Sequence, residues 1–291
     1  MKELLLNMKP TKEYLVCFDS DGCVFDNMEL KHKECFCPMY IRYFGLQAVS
    51  KYAREAWDFA NLYSSYRGIH RLRSLLKALE VLAPRKEVLE RGFKAPVLSE
   101  LSAYVEAGGL LSNAGLEAYL KEHPDSQEFR TLLEWSCQVN EEIGKTVSGV
   151  PPFPHVRESL SRLSETADIV VVSATPAEAL EREWSEHGLT RYLTAIKGQE
   201  CGSKKEIIAS LMKEYDADKI LMIGDAPGDR DAAHANGVLF YPICPDEEAT
   251  SWKKFEEEYM DLFLSGSYAG ESEESAISYF ETLLPTNPKW I

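Results

Sequence analysis

Three short apolar runs, each leading into polar residues, constrain the fold of this 291-residue chain most strongly. They lie within residues 14–18, 168–173 and 219–224, and none shows the apolar–polar alternation of a half-exposed strand. Uninterrupted runs of this kind are typical of strands buried on both faces of a parallel sheet. A shorter run at 237–242 predicts a fourth strand.

Helical patterns separate these predicted strands. They cover residues 155–166, 176–188, 203–215 and 229–235. Strands that alternate with helices over one stretch of chain indicate an α/β domain. The sequence therefore predicts a doubly wound, Rossmann-like parallel sheet.

A long block between the first and second predicted strands has a helical period and no convincing buried strand. Within it Leu72, Leu75, Leu76 and Leu79 fall on one helical face. We therefore expect an inserted all-α domain. Two domains are predicted: a core of residues 1–26 plus 149–291, and a helical domain of residues 27–148. Within the core, residues 243–291 are predicted to form a C-terminal helical extension, with helices near 246–264 and 271–284.

Composition limits the possible partners. The formal charge of −15 argues against binding to nucleic acid or an anionic membrane, because phosphate backbones attract an excess of Lys and Arg. Seven scattered cysteines without a CxxC pair indicate reduced thiols. The apolar run Leu4–Leu6 is too short for a signal peptide, and no run approaches the roughly 20 residues that span a bilayer. A cytoplasmic protein is expected, whose oligomeric state the sequence leaves open.

The first predicted strand ends in Asp19, Ser20, Asp21 and Gly22. Two carboxylates at this spacing can divide the work of phosphoryl transfer. Asp19 would attack phosphorus as nucleophile, and Asp21 would protonate the leaving alkoxide and then deprotonate the attacking water. The alternative is an Asx turn that follows a strand.

The second predicted strand ends in Ser173, Ala174 and Thr175. A hydroxyl and backbone N–H groups at a helix start can bind a phosphoryl oxygen. The alternative is that Ser173 simply caps the helix.

Lys204, Asp225 and Asp229 complete the candidate set. Asp225 follows a strand and can complete a hard-oxygen Mg²⁺ site with Asp19, while Asp229 can support metal-bound water or orient Lys204. A lysine offsets the repulsion between phosphate and carboxylate. The adjacent Lys205 is an alternative. Because ligands bind beyond the carboxyl ends of parallel strands, all these side chains are expected in one crevice.

In this order the motifs resemble those of the haloacid dehalogenase-like superfamily. The resemblance covers residues 14–26 and about 150–240, and it places the helical block in the position of a C1-type cap. It implies Asp19 as nucleophile, Asp21 as acid/base, and Ser173 and Lys204 as phosphoryl-binding residues. It also implies Mg²⁺ held by the Asp19 carboxylate, the Asp21 backbone carbonyl and Asp225, with Asp229 in support.

A basic loop in the helical block resembles the specificity loop of sugar-phosphate mutases and phosphatases of this family. Arg67, Gly68 and Arg71 match its pattern and are candidate substrate-binding residues. Arginine suits a second anionic or hydroxylated group through paired hydrogen bonds. The alternative is a basic helix start on a solvated face.

Together these features predict a Mg²⁺-dependent phosphoric monoester hydrolase that acts on a small phosphorylated metabolite. Asp21 argues against a dehalogenase or phosphonatase, which resemble this fold but lack that carboxylate. A phosphomutase shares the first half-reaction and stays open as an alternative. A non-catalytic phosphate-ligand binder is the alternative from another class, although pure binding needs no nucleophile.

Overall fold

The computed structural model describes residues 8–291, so the run Leu4–Leu6 lies outside the described part. One five-stranded parallel sheet is present, in the order β3-β2-β1-β4-β5. Its strands are β1 Tyr14–Phe18, β2 Ala167–Val172, β3 Ala195–Lys197, β4 Ile220–Gly224 and β5 Leu239–Pro242. The predicted α/β class with a doubly wound parallel sheet is thereby confirmed.

Helices make up most of the remaining structure. The α-helices are α1 Cys37–Tyr43, α2 Ser50–Asn61, α3 Arg71–Leu82, α4 Lys86–Glu90, α5 Ser99–Glu106, α6 Asn113–Glu122, α7 Gln127–Thr146, α8 Val156–Leu163, α9 Ala177–Glu186, α10 Lys204–Leu211, α11 Pro227–His234, α12 Glu248–Lys254, α13 Met260–Leu264 and α14 Glu271–Thr282. There are also two π-helical segments. The segment Leu30–Phe36 directly precedes α1, and the segment Phe255–Tyr259 joins α12 to α13.

The central strand β1 explains why the apolar runs do not alternate. Val16 and Phe18 face one hydrophobic cluster, and Leu15 and Cys17 face another. All four side chains are fully buried, because helices cover both faces of the sheet.

One strand of the sheet was not predicted. The edge strand β3 was missed, because three residues are too few to show a pattern. The helix expected near 246–264 forms without a break over residues 248–264, and its middle part, Phe255–Tyr259, is π-helical. The other predicted strands and helices form, with ends that differ by a few residues.

The chain divides into two compact units. The sheet unit contains the residues up to Met28 and Gly149–Leu284, and the helical unit contains Glu29–Ser148 and Pro285–Ile291. Between Glu29 and Ser148, a stretch described throughout, no strand forms. The last seven residues were predicted to belong to the core, whereas they pack in the helical unit. A role of the helical unit as a cap stays a prediction.

All seven cysteines are free thiols, and six of them are buried. Among the described residues, no helix has the length and apolar character needed to cross a membrane.

Candidate active site

Asp19 lies at the carboxyl end of the central strand. Its backbone N–H donates to the carbonyl of Ile223 at 2.9 Å, so the β1–β4 ladder continues one residue beyond β1. The side chain is only 7% exposed, and its Oδ1 accepts the N–H of Ser20 at 2.8 Å. The nucleophile candidate is therefore held rigidly at the edge of the sheet where polar strand ends converge.

Asp225 and Asp229 follow the neighbouring strand β4. Both side chains are buried, and Asp229 stands at the third position of α11, where its Oδ2 accepts the N–H of Ala226 at 3.1 Å. Gly224 is required between strand and helix, since an added Cβ would lie 2.4 Å from Asp229 Oδ2. This close approach places Asp229 against the strand end.

Lys204 joins the two acidic segments. It is the first residue of α10, whose start is fixed by a capping box between Ser203 and Glu206. The Lys204 ammonium lies 2.7 Å from Asp19 Oδ2 and 2.5 Å from Asp229 Oδ1. Lys205 is exposed. Of the two lysines that the sequence left open, Lys204 is therefore the one that contacts the acidic cluster.

The acidic cluster has the composition of a divalent-cation site. One carboxylate oxygen from each of Asp19, Asp225 and Asp229 lies within 4.8 Å of the others. Three ionised carboxylates and the Lys204 ammonium carry a formal charge of about −2, which a doubly charged cation would balance. Carboxylate oxygens are also the ligands that Mg²⁺ prefers. The residues therefore fit this cation.

The pKa values of the cluster reflect burial and mutual charge. Burial raises the pKa of Asp19 to about 8; Lys204 opposes this shift, and Asp229 and Asp225 add to it. Burial alone would lower the pKa of Lys204, but Asp19 and Asp229 raise it above its ordinary value. Lys204 is consequently a permanent cation, and a second positive charge would help to keep Asp19 ionised.

Asp21 lies outside this cluster of carboxylates. Its Oδ1 accepts the amide of Asn27 at 2.7 Å, and its Oδ2 accepts the hydroxyl of Thr175 at 3.2 Å. Gly22, with φ of 74°, makes the turn that carries the chain away from the strand. The two aspartates therefore have different surroundings, as separate chemical roles require.

Ser173 and Thr175 form a turn at the end of β2. The N–H of Ser173 donates to the carbonyl of Lys197 at 3.1 Å, and its hydroxyl accepts the N–H of Thr175 at 3.2 Å. Ala174 is exposed. The following helix α9 has Pro176 at its N-cap, so Ser173 does not cap it. The helix-capping alternative for Ser173 is thereby excluded.

The candidate substrate-binding residues of the helical unit make contacts within that unit. Arg67 is 3% exposed and donates to the carbonyl of Leu62 at 3.0 Å. Arg71 donates through Nη1 to Asn140 Oδ1 at 2.7 Å and to the Ser136 carbonyl and hydroxyl at 3.3 and 3.2 Å. Gly68 has φ of 79°. A role of Arg67, Gly68 and Arg71 in substrate binding stays a prediction.

Two residues beside Asp21 escaped the sequence analysis. Asn27 donates to Asp21 and also to Glu183 Oε1, in both cases at 2.7 Å. Asn27 closely follows the first motif, so its position offered a signal. Glu183 offered none, because it is one of several acidic residues on the amphipathic helix α9.

Comparison with known proteins agrees with this geometry. Residues 99–243 match the family model for haloacid dehalogenase-like hydrolases. This range contains Ser173, Lys204, Asp225 and Asp229, and the segment Asp19–Asp21 precedes it. A search of curated protein sequences finds no match.

Solved structures with a similar fold include three relatives of low identity. A haloacid dehalogenase-like family hydrolase from Xanthomonas campestris is 14% identical over 91% of this chain and 98% of its own, with a TM-score of 0.48. A provisionally named phosphoglycolate phosphatase from Lactobacillus delbrueckii subsp. bulgaricus is 16% identical over 80% and 86%, with a TM-score of 0.47. A provisionally named beta-phosphoglucomutase from Bacteroides vulgatus is 17% identical over 88% and 91%, with a TM-score of 0.46.

The parallel sheet, the polar strand ends and the family match define one class of enzyme. The chain belongs to the haloacid dehalogenase-like hydrolases.

Proposed function

We propose that this protein is a Mg²⁺-dependent phosphoric monoester hydrolase that acts on a small phosphorylated metabolite through an aspartyl-phosphate intermediate. One observation carries the proposal: the Lys204 ammonium contacts both Asp19 and Asp229, and Asp225 belongs to the same buried carboxylate cluster. A lysine in this position would offset the repulsion between a dianionic phosphate and the carboxylates that attack it and bind the metal ion.

The reaction divides between the two aspartates of the first motif. A carboxylate oxygen of Asp19 attacks phosphorus, and the bond between phosphorus and the ester oxygen breaks. Asp21 gives its proton to the departing alkoxide. Water then attacks the aspartyl phosphate and passes a proton to Asp21, which releases inorganic phosphate and restores both carboxyl groups.

The remaining polar groups bind the phosphoryl group. Lys204 offsets its negative charge, and the Ser173 hydroxyl with the backbone at Ala174 and Thr175 would donate hydrogen bonds to its oxygens. Asp19, the Asp21 backbone carbonyl and Asp225 would hold Mg²⁺, supported by Asp229, and the ion would stabilise negative charge on the phosphoryl oxygens.

The helical unit would act as a cap that selects the substrate. Its candidate residues are Arg67, Gly68 and Arg71. Because Arg71 also links α3 to α7 through Ser136 and Asn140, its replacement tests two roles. If Arg71 binds substrate, Arg71→Ala raises KM for the natural ester and spares p-nitrophenyl phosphate. Parallel losses on both esters would indicate a structural role.

Phosphate release from p-nitrophenyl phosphate with Mg²⁺ tests the proposal. We expect turnover that EDTA abolishes and added Mg²⁺ restores, and a loss of at least about 10³-fold in Asp19→Asn, because an amide does not attack phosphorus. Asp231→Asn replaces an exposed carboxylate nearby in α11 and serves as the matched control. Wild-type protein inactive on every member of a phosphate-ester panel would favour the non-catalytic binder.

Hexose phosphates distinguish the hydrolase from a phosphomutase. The hydrolase releases phosphate at least as fast as it isomerises any of them. Isomerisation that outpaces phosphate release on one hexose phosphate would reject the hydrolase in favour of the mutase.

A further inference from the structure

The side-chain amide of Asn27 bridges two carboxylates beside the acid/base residue. Asn27 is fully buried, and its Nδ2 lies 2.7 Å from Asp21 Oδ1 and 2.7 Å from Glu183 Oε1. An amide nitrogen carries two hydrogens. One hydrogen therefore goes to each carboxylate, and the donor capacity of this nitrogen is used completely.

Glu183 determines the orientation of this amide. If the carboxamide of Asn27 were reversed, its oxygen would face the two carboxylates, which repel it. Without the carboxylate of Glu183, one of the two hydrogens would lose its acceptor in a buried site, which is unfavourable. Glu183 thus makes the orientation that serves Asp21 the favourable one.

Further contacts attach α9, the helix of Glu183, to the catalytic loop, which is the segment of residues 19–22. The fully buried indole of Trp184 donates to the hydroxyl of Ser20 at 3.0 Å, and its ring packs edge-on against Phe25 at 5.6 Å. The hydroxyl of Ser20 also approaches Glu183 Oε2 at 3.5 Å. Because Ser20 lies between Asp19 and Asp21, these contacts hold helix α9 in a defined position against the catalytic loop.

The bridge leaves the two oxygens of Asp21 unequal. Oδ1 is occupied by the short bond from Asn27, whereas Oδ2 has the longer contact of 3.2 Å with Thr175, whose hydroxyl can rotate. An oxygen that accepts a short hydrogen bond from an amide is less basic than its neighbour, so it is the less favourable place for a proton. The proton to be transferred therefore belongs on Oδ2.

We infer that Glu183 is a positioning residue for cleavage of the ester. Glu183 acts through Asn27, which holds Asp21 so that its Oδ2 is presented to the leaving group. This inference rests on the proposed hydrolase function. As the bond between phosphorus and the ester oxygen breaks, the proton moves from Oδ2 to that oxygen. The orienting effect matters most when the leaving group is a strongly basic alkoxide, and least when it is stable without a proton.

Two substrates with different leaving groups test this role. Glycerol phosphate releases an alkoxide that requires a proton, whereas p-nitrophenyl phosphate releases a stable phenolate. We expect Glu183→Ala to lower kcat/KM on glycerol phosphate by about 10- to 100-fold, and kcat/KM on p-nitrophenyl phosphate by less than about threefold. The ratio kcat/KM reports cleavage of the ester and not the later hydrolysis of the aspartyl phosphate, which both esters share. Glu181→Ala removes an exposed acid from the same helix, and the ratio of the two rates should match wild type.

Two further variants probe the bridge itself. Glu183→Gln keeps a carbonyl oxygen that can accept from Asn27, so it should retain most of the rate on glycerol phosphate. Asn27→Ser is too short to bridge both carboxylates, and it should shift the ratio of rates as Glu183→Ala does. These variants keep the inference testable even if Glu183→Ala does not fold.

The outcomes separate this inference from the proposed function. Wild-type protein inactive on both esters, with and without Mg²⁺, would reject the proposed function and the inference with it. An active wild type with an unchanged ratio of rates in Glu183→Ala and Asn27→Ser would overturn the inference alone. Equal losses on both esters, accompanied by a lower Tm, would make Glu183 a purely structural residue.

Discussion

At the scale of single residues, Asp168 anchors the sheet far from the candidate active site. Its buried carboxylate accepts hydrogen bonds from the backbone and hydroxyl of Thr11, the backbone of Lys12, and the hydroxyls of Thr194 and Tyr215, at 2.6–3.0 Å. Burial alone would raise the pKa of Asp168, but the bonds from Thr11 and Tyr215 lower it below its ordinary value. The carboxylate thus joins three parts of the sheet unit to the start of β2.

Replacing Asp168 tests this contribution to stability. Asp168→Asn loses the charge and one acceptor, so we expect the free energy of unfolding to fall by about 2–4 kcal/mol. Since the folded pKa is depressed, the contribution is present at neutral pH and disappears as pH falls below the ordinary value of 3.8. Urea unfolding at pH 7 measures the loss. The exposed Asp218→Asn should change stability by less than about 0.5 kcal/mol.

Two glycines of the last motif form a matched pair for substitution. An alanine Cβ at Gly224 would lie 2.4 Å from Asp229 Oδ2 and 2.5 Å from Asp229 Cβ, whereas at Gly228 it meets nothing within 4 Å. Gly224→Ala must therefore displace Asp229 and weaken its contact with Lys204. We expect a loss of about 1–3 kcal/mol in stability and at least about tenfold in phosphatase activity.

Gly228→Ala is the control for this prediction. Its stability should be equal or higher by up to about 1 kcal/mol, because alanine favours the helix. Thermal unfolding and p-nitrophenyl phosphate turnover measure both variants. Similar effects of the two substitutions would contradict the role assigned to the close contact at Gly224.

At the scale of elements, the start of helix α3 depends on a neutral histidine. The Nδ1 atom of His70 accepts the N–H of Leu72 at the N-terminus of α3. Burial, with smaller effects from Arg71 and Arg73, lowers the pKa of His70 to about 4. Protonation would destroy the acceptor and place a positive charge at the positive end of the helix.

This histidine predicts an acid-sensitive component of stability. Between pH 6.5 and 4 the unfolded chain binds a proton at His70 and the folded chain does not, so this contribution to stability falls as pH falls. Above pH 6.5 it does not vary. His70→Asn keeps a capping oxygen and does not titrate, so its Tm should decrease less between pH 7 and pH 5, by on the order of a few °C.

The exposed His123 of the same unit supplies the control. His123→Asn should show the same change in Tm between pH 7 and pH 5 as wild type. If His70→Asn also follows the wild-type curve, the assigned dependence of α3 on a neutral His70 is wrong.

At the scale of the whole molecule, the chain passes between its two units three times. The first two passages enclose Glu29–Ser148, and the third delivers Pro285–Ile291 to the helical unit. There the Trp290 indole donates to the carbonyl of Val81 at 3.0 Å. The guanidinium of Arg85 lies over the ring of Trp290, 4.4 Å from its centroid, and over the ring of Tyr52, 4.6 Å from its centroid. The C-terminal segment is therefore part of the packing of the helical unit.

Removal of this segment should destabilise the helical unit. Deletion of residues 285–291 exposes Arg85 and removes the aromatic contacts, and we expect a loss of about 2–4 kcal/mol in the stability of that unit. Trp290→Ala should reproduce most of the loss. Lys289→Ala, which changes an exposed side chain, should leave the Tm close to wild type. Hydrogen exchange of α3 distinguishes the helical unit from the sheet unit, and unchanged exchange after deletion would contradict the prediction.

The pattern of apolar and polar residues along the chain was enough to predict the parallel sheet and the polar residues at its carboxyl edge. Strands such as β1 and β4 are buried on both faces of the sheet, so they appear in the sequence as unbroken apolar runs. The carboxylates directly follow these runs, and the ends of parallel strands meet at one edge of the sheet. Asp19, Asp225 and Asp229 could thus be expected to lie close together. The order of the family motifs added Lys204 to this group.

The pairings between distant segments became visible only in the folded chain. The three-residue strand β3, the contact of Glu183 with Asn27, and the packing of Trp290 against Arg85 leave no periodic signal, because each depends on a partner far along the chain. Glu183 and the exposed Glu181 occupy the same helix and read alike in the sequence. Their difference arises only where α9 packs beside the loop of Asp21, which brings one carboxylate and not the other within reach of a buried amide.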